Sequence, residues 1–314
     1  MPPVTLFKYR ELSERTLDIL RTSTMWFATP ASLNDTFEFN VPYYIPLSAH
    51  EVVKAYEARF DITRVAQRLL DAMMRHAGGT PFEPTPRFVK NFLTQATPED
   101  RRLYAIGFIH FYRQQGLTTE QIVQHIPHVD GMALTDYLEK ELREAARRNH
   151  AIGEACGVCS LAGTPDNRLM WAHYARSNSG ICIGITFDEQ DLSSTGLIPL
   201  PVAYETELPK VDPMQFFDRS SDNVVEMLTL LYGTKHVDWA YEREFRLIAP
   251  GGGNATHRIP GRITHVFFGE KLDPHKFPDI RNAVHQDTMP DFFVMMREPG
   301  TWNYVPRAVD LRDA

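Results

Sequence analysis

The stretch CGVCSLAGTPDNRLMWAHYARSNSGICIGITF, residues 156–187, decides how the chain is read. CGVCSLA and GICIGITF are short runs of small and branched apolar residues, each with the length and texture of a buried strand. Between them Leu169, Trp171, His173 and Tyr174 lie on a segment of helical spacing. Trp171 and Tyr174 are three apart and share a helix face, with His173 beside them. Rings at this spacing suit either a core or the wall of a site, and the stretch alone leaves both open.

Working outward, TLFKYR near the N-terminus reads as a strand, and SERTLDILRT as a short helix opened by Ser13 with Leu17, Ile19 and Leu20 inward. MWFATP is a second strand that stops at Pro30, and PASLNDTFEF is a turn-rich loop with Asn34 and Asp35 at its centre. From about residue 47 to 150 apolar positions recur at three and four, through AHEVVKAYEARF, ITRVAQRLLDAMMRHAG, PRFVKNFLTQA, EDRRLYAIGFIHFYRQQG and LTDYLEKELREAARRNH. Strand patterns return after 150. IPLPVAYE carries prolines that suit an edge, DNVVEMLTLLYG is a helix, and WAYEREFRLIA, ITHVFFG and DFFVMMRE follow as strands. GGGN, residues 251–254, reads as a hairpin turn.

These patterns predict an α+β fold: a split, mixed β-sheet core built from both ends of the chain, with a large helical insertion. The core is residues 1–46 and 151–314 and the insertion 47–150, and residues 1–45 pair with the C-terminal half in one sheet. No repeat period or low-complexity tract is present.

With 314 residues, 43% hydrophobic and 11% aromatic, the chain can bury a full core. Net charge is −7 and the 33 Lys and Arg are dispersed, so there is no broad basic surface for non-specific nucleic-acid binding, only room for a local RNA or DNA site. The N-terminus lacks a leader pattern and no apolar run reaches membrane length, so the expectation is a cytoplasmic protein with no membrane partner. Cys156 and Cys159 form a C-x-x-C, with Cys182 further on. A closed zinc site needs about four ligands, so buried free thiols and no metal are expected.

Taken as a strand of period two, WAYEREFRLI puts Trp239, Tyr241, Phe245 and Leu247 on one face and Glu242, Glu244 and Arg246 on the other. Two carboxylates on one face can point into a cleft, or they can form a solvated face with Arg246 as a weak surface partner. In LFKYR, Lys8 and Arg10 share a face opposite Phe7 and Tyr9. Such a pair can fork onto phosphate oxygens or stand exposed on the surface.

LFKYR, TLDIL, MWFATPASLNDTFEF, VCSLAGTPDNRLMWAHYARSNSGICIGITF, DWAYEREFRLI and ITHVFFG together resemble the family catalogued as domain of unknown function 2971 (DUF2971). Members of that family usually show Pro after the Asn-Asp pair, where this chain has Thr36. The family carries no settled activity. A more distant resemblance is to the mono-ADP-ribosyltransferase fold, whose members use an Arg or His, a Ser or Tyr, and a Glu. By position that resemblance implies Arg10 or Lys8 in the first role, Ser160 in the second and Glu244 in the third, with Glu242 accompanying.

On that resemblance the substrate is NAD. Glu244 stabilises the oxocarbenium-like state as nicotinamide leaves, and Arg10 holds pyrophosphate or ribose. Ser160 supports Glu244 and the ribose, Trp171 or Tyr174 stacks on nicotinamide, and Glu242 orients or deprotonates an unknown acceptor, protein or nucleic acid. The alternative is a non-catalytic bacterial sensing or interaction module, for example defence-associated. Its pocket is then formed by Trp171, His173 and Tyr174 with the Asn34-Asp35 loop, and the carboxylates are structural. A hydrolase or nuclease using Glu242, Glu244, Asp35 and His173 around a metal is a third reading, without convincing ligand spacing.

Overall fold

The computed structural model describes residues 2–33, 35, 39, 48–59, 62–125, 128–129, 132–211, 221–284 and 289–311. Its strands are β1 (Val4–Arg10), β2 (Thr24–Phe27), β3 (His128–Val129), β4 (Met132–Ala133), β5 (Gly157–Ala162), β6 (Ile181–Phe187) and β7 (Ile198–Pro201). They continue as β8 (Ala203–Glu205), β9 (Thr234–His236), β10 (Glu244–Ala249), β11 (Ala255–Arg258), β12 (Arg262–Phe268), β13 (Asp291–Arg297) and β14 (Tyr304–Val309). The helices are α1 (Glu14–Thr22), α2 (Ala49–Arg59), α3 (Ile62–His76), α4 (Pro86–Gln95), α5 (Pro98–Gln114) and α6 (Thr119–His125). After them come α7 (Leu134–Glu154), α8 (Arg168–Tyr174), α9 (Glu189–Thr195), α10 (Ser221–Tyr232) and α11 (Phe277–Ala283).

The fold is α+β, as the sequence pattern predicts. An eight-stranded sheet runs in the order β14-β13-β12-β6-β1-β5-β10-β7, with β12 and β13 parallel and the other pairs antiparallel. The N-terminal strand sits in the middle of strands from the C-terminal half. The proline-bearing β7 is an edge, as a strand lacking some ladder donors must be.

Three expectations are corrected. β2 does not join the large sheet but pairs with β11, with Met25 and Phe27 buried in the main core; its link to β5 is the bridge between Ala28 and Val158. GGGN is therefore no hairpin turn, since it carries the chain from β10 in one sheet to β11 in another. Ser13 occupies the N-cap of α1, yet its side chain makes no cap hydrogen bond.

The chain divides into two compact units, one of Met1–Pro42, His150–Pro209 and Val225–Ala314, the other of Tyr43–Asn149 and Lys210–Val224. In the helical unit Val53, Leu103, Ile106, Ile109, Ile122 and Leu142 form one core and Ala72, Met73, Phe92 and Leu93 another. Thr85 and Thr97 cap α4 and α5 by accepting from the N–H groups of Phe88 and Asp100, each followed by proline at the first helical position. In the sheet unit one face buries Leu6, Leu161, Ile183, Leu247 and Val266. The other buries Tyr9, Ala162, Trp171 and Cys182, and beyond them Val158, Leu200 and Ile248.

Between α8 and β6 the chain turns through Arg176, Ser177 and Asn178, all left-handed, with φ of 47°, 53° and 71°. Side-chain-bearing residues pay about 1 kcal/mol or more for each such step. The turn sets Gly180 directly against the carbonyl of Arg10, where a Cβ would overlap that oxygen. Gly180→Ala must therefore displace β1 at Arg10, and we expect a loss of about 1–3 kcal/mol in urea unfolding, the usual cost of overpacking a tight site.

Candidate functional site

β1 and β5 meet at one register pair, Phe7 with Ala162, whereas β1 pairs with β6 from Val4–Phe187 to Arg10–Ile181. Beyond Phe7 the two strands part, and Ala28 takes up the neighbouring place beside Val158 of β5. Parting strands leave backbone groups to be satisfied in other ways. Here the Lys8 ammonium reaches across and donates to the Ser160 carbonyl at 2.6 Å.

A cavity of about 130 Å³ fills the parting, lined by Lys8, Arg10, Ile19, Met25, Trp26, Ala28, Leu33, Val158 and Ser160. Its charged lining is two cations and no carboxylate. Lys8 is committed to Ser160, but the Arg10 Nε is buried with no hydrogen-bond partner. A buried guanidinium nitrogen left open faces the full desolvation cost unless an anion completes it. Of the two cations lining the cavity, Lys8 has a protein partner and the buried Arg10 Nε has none.

The carboxylates lie in a different setting. The 3₁₀ helix Val237–Glu242 and a left-handed Arg243 precede β10, so the expected period-two strand does not extend back to Trp239 and Glu242 is not a strand residue. The two carboxylates still meet, at Lys235 of β9. Its Nζ donates to Glu242 Oε2 at 2.6 Å and to Glu244 Oε2 at 3.1 Å. Arg246 Nε donates to Glu244 Oε1 at 2.8 Å and its Nη1 to the Tyr232 carbonyl at 2.7 Å. Tyr174 donates to Glu242 Oε1 at 2.6 Å.

Lys235, Glu242, Glu244 and Arg246 are 5%, 4%, 6% and 0% exposed, so the solvated-face reading fails. Two cations and two anions cancel within the interior. Burial pushes the Glu244 carboxyl up, but the charge of Arg246, its hydrogen bond, the charge of Lys235 and a hydrogen bond from Ser160 outweigh it and hold the group down at about 2.

Ser160 thus bears on both settings: its carbonyl accepts from Lys8, and its side chain is the least of the influences that lower the Glu244 carboxyl. Arg10 and Glu244 do not share a face. Phe7 pairs with Ala162 and Ala162 with Glu244, so these three point the same way, and Lys8 and Arg10, at odd steps from Phe7, point the other. The sheet stands between the cationic cavity and the carboxylates.

The aromatic helix resolves into core with one polar link. Trp171 is fully buried, packs edge-on against Tyr9 at 5.3 Å and donates Nε1–H to the Pro165 carbonyl at 2.7 Å, so it presents no ring to a ligand. Tyr174 is half-buried and spends its hydroxyl on Glu242, while His173 is exposed. Asn167 caps α8, accepting from the N–H groups of Leu169 and Met170 and donating to the Tyr241 carbonyl. Asn34 lies outside the described residues.

Asp35 lines a larger cavity of about 470 Å³ with Phe39, Glu205, Glu207, Lys235, Asp238 and Trp239, among others. Lys235 and Trp26 are the residues that sequence reasoning passed over. The signal for Lys235 was a lone lysine just ahead of E-x-E, and for Trp26 an aromatic that alternation places outward between Met25 and Phe27.

The three cysteines are buried free thiols, and burial pushes the Cys182 thiol well up. Among the described residues no three His, Cys, Asp or Glu side chains are grouped to hold a metal, and no helix is long and apolar enough to cross a membrane.

Residues 170–247 match the sequence profile of the family described as protein of unknown function (DUF2971). The match contains the whole carboxylate cluster, from Tyr174 to Arg246, and excludes β1, β2 and Ser160. The chain matches no curated protein and no solved structure.

Breaking a buried ion cluster by removing one partner strands the others, at about 3–5 kcal/mol. Glu244→Gln is expected to lose that much at pH 7. Because the folded-state carboxyl is held below its ordinary 4.5, its contribution is present above pH 4.5 and disappears as pH falls toward 2. The stability gap between wild type and Glu244→Gln should narrow over that window in urea titrations.

Proposed function

We propose that the protein is a sensing or interaction module that binds a pyrophosphate-bearing ligand of the NAD class in the parting of β1 and β5, without turning it over. The observation that carries this reading is Arg10, whose buried Nε has no partner in a cavity lined by two cations and no carboxylate. A guanidinium in that state is prepared for phosphate oxygens, since a charge-assisted bond there completes a donor that the fold leaves open. Absence of turnover is supported by the carboxylates, which are engaged by Lys235 and Arg246 on the other face of the sheet.

The second reading is an ADP-ribosyltransferase-like enzyme, and one observation favours it. Arg10, Ser160 and Glu244 stand on three neighbouring strands, β1, β5 and β10. It requires NAD to reach Glu244 past the sheet and to replace the longer of the two Lys235 contacts, the one at 3.1 Å.

Incubation with NAD labelled in the nicotinamide ring separates the two. We expect wild type to bind NAD and inorganic pyrophosphate in calorimetry, Arg10→Gln to bind both at least tenfold more weakly, as loss of a charged hydrogen bond implies, and no nicotinamide to be released. Release by wild type that Glu244→Gln abolishes, with the variant still folded by circular dichroism, would establish the enzyme instead.

A further inference from the structure

We propose that Trp26 is the base platform of the β1–β5 cavity, so that the ligand is a nucleotide rather than a free phosphate or pyrophosphate. The inference rests on the anion-binding reading of Arg10 and adds the chemistry of the ligand's other end.

β2 alternates sharply. Met25 and Phe27 are 2% and 0% exposed in the main core, whereas Trp26 between them is 53% exposed. An indole left half in water costs hydrophobic stabilisation that an inward neighbour does not forgo. Trp26 is also no isolated surface ring: it lines the same cavity as Arg10, Lys8 and Ser160. Its strand is held from both directions, by the β11 ladder through Thr256 and by the bridge from Ala28 to Val158 of β5. The ring is therefore carried on fixed backbone at the cavity that Arg10 also lines.

The cavity's volume of about 130 Å³ admits a phosphate or a sugar but not a dinucleotide. A ligand anchored on Arg10 must extend outward, and a planar heterocycle attached to that phosphate then meets the indole. Stacking of a base on an aromatic side chain tolerates any base, because every base has a π-face. The pairing of one cation with one exposed ring thus specifies phosphate plus planar ring, and leaves the identity of the base open. Trp171, buried against Tyr9, is unable to serve this way.

The test uses the full chain as wild type, Trp26→Ala, Trp26→Phe and Arg10→Gln, titrated with inorganic pyrophosphate, ADP and NAD. Trp26→Ala should weaken ADP and NAD about tenfold and leave pyrophosphate within about twofold, which also shows that the variant is folded. Trp26→Phe should recover most of the loss, and Arg10→Gln should weaken all three ligands. Intrinsic fluorescence should be quenched by ADP in wild type and much less in Trp26→Phe. Unchanged ADP and NAD affinity in Trp26→Ala, with Arg10→Gln still weakened, would overturn the platform and spare the anion site. Failure of wild type to bind pyrophosphate, ADP and NAD would overturn both. A single-stranded oligonucleotide that binds more tightly than ADP would overturn the assignment to a free nucleotide.

Discussion

A single register pair between β1 and β5, Phe7 with Ala162, governs the sheet unit. Had the ladder continued, Lys8 to Arg10 would lie flat against β5 with their backbone groups paired, and no space would exist between them. Because β1 stays bound to β6 along its whole length, it is carried away from β5 while β5 stays fixed to β10. The gap that results needs polar groups to close its edges and admits solvent-sized space at its centre. Lys8 performs the first task at the Ser160 carbonyl, and Arg10 lines the space with its buried Nε unpartnered.

The carboxylate cluster follows a different logic. Four charges out of water carry a heavy desolvation penalty, and their mutual attraction repays it only with good geometry and further hydrogen bonds. Those are present: Arg246 bonds the Tyr232 carbonyl, Tyr174 bonds Glu242, and the Tyr204 hydroxyl accepts from the Glu244 N–H at 2.7 Å. Through these contacts the cluster ties β9, the 3₁₀ segment, β10 and α8 into one body. Such an arrangement fixes which residues are neighbours. It also occupies the carboxylates, so that any chemistry at Glu244 has to displace a cation first.

Much of this was legible in the sequence where periodicity decides. β5 and β6 emerge from two apolar runs, the helical insertion from its three-and-four spacing, and the edge position of β7 from its prolines. Tertiary pairing was not legible. Whether Glu244 faces Arg10 depends on the register of β1 against β5 and of β5 against β10, and a shift of one residue in either would reverse the answer. Spacing likewise gives Trp171 and Tyr174 a shared helix face without saying what packs on it, and Trp171 turns out to be buried in the core. The E-x-E strand was misread at its start because Tyr241 and Glu242 belong to a 3₁₀ turn, whose right-handed coil mimics no alternation.

Trp26 shows what alternation does supply once a strand is located. With Met25 and Phe27 both apolar and flanking it, period two requires its side chain to leave the core, whichever sheet the strand joins. What the sequence lacks is the company the ring keeps outside. That company comes from the parting of two other strands, which places a committed lysine and an uncommitted arginine beside it. The cavity at the N-terminal segment therefore arises less from LFKYR or MWFATP alone than from the way one missing ladder sets them edge to edge.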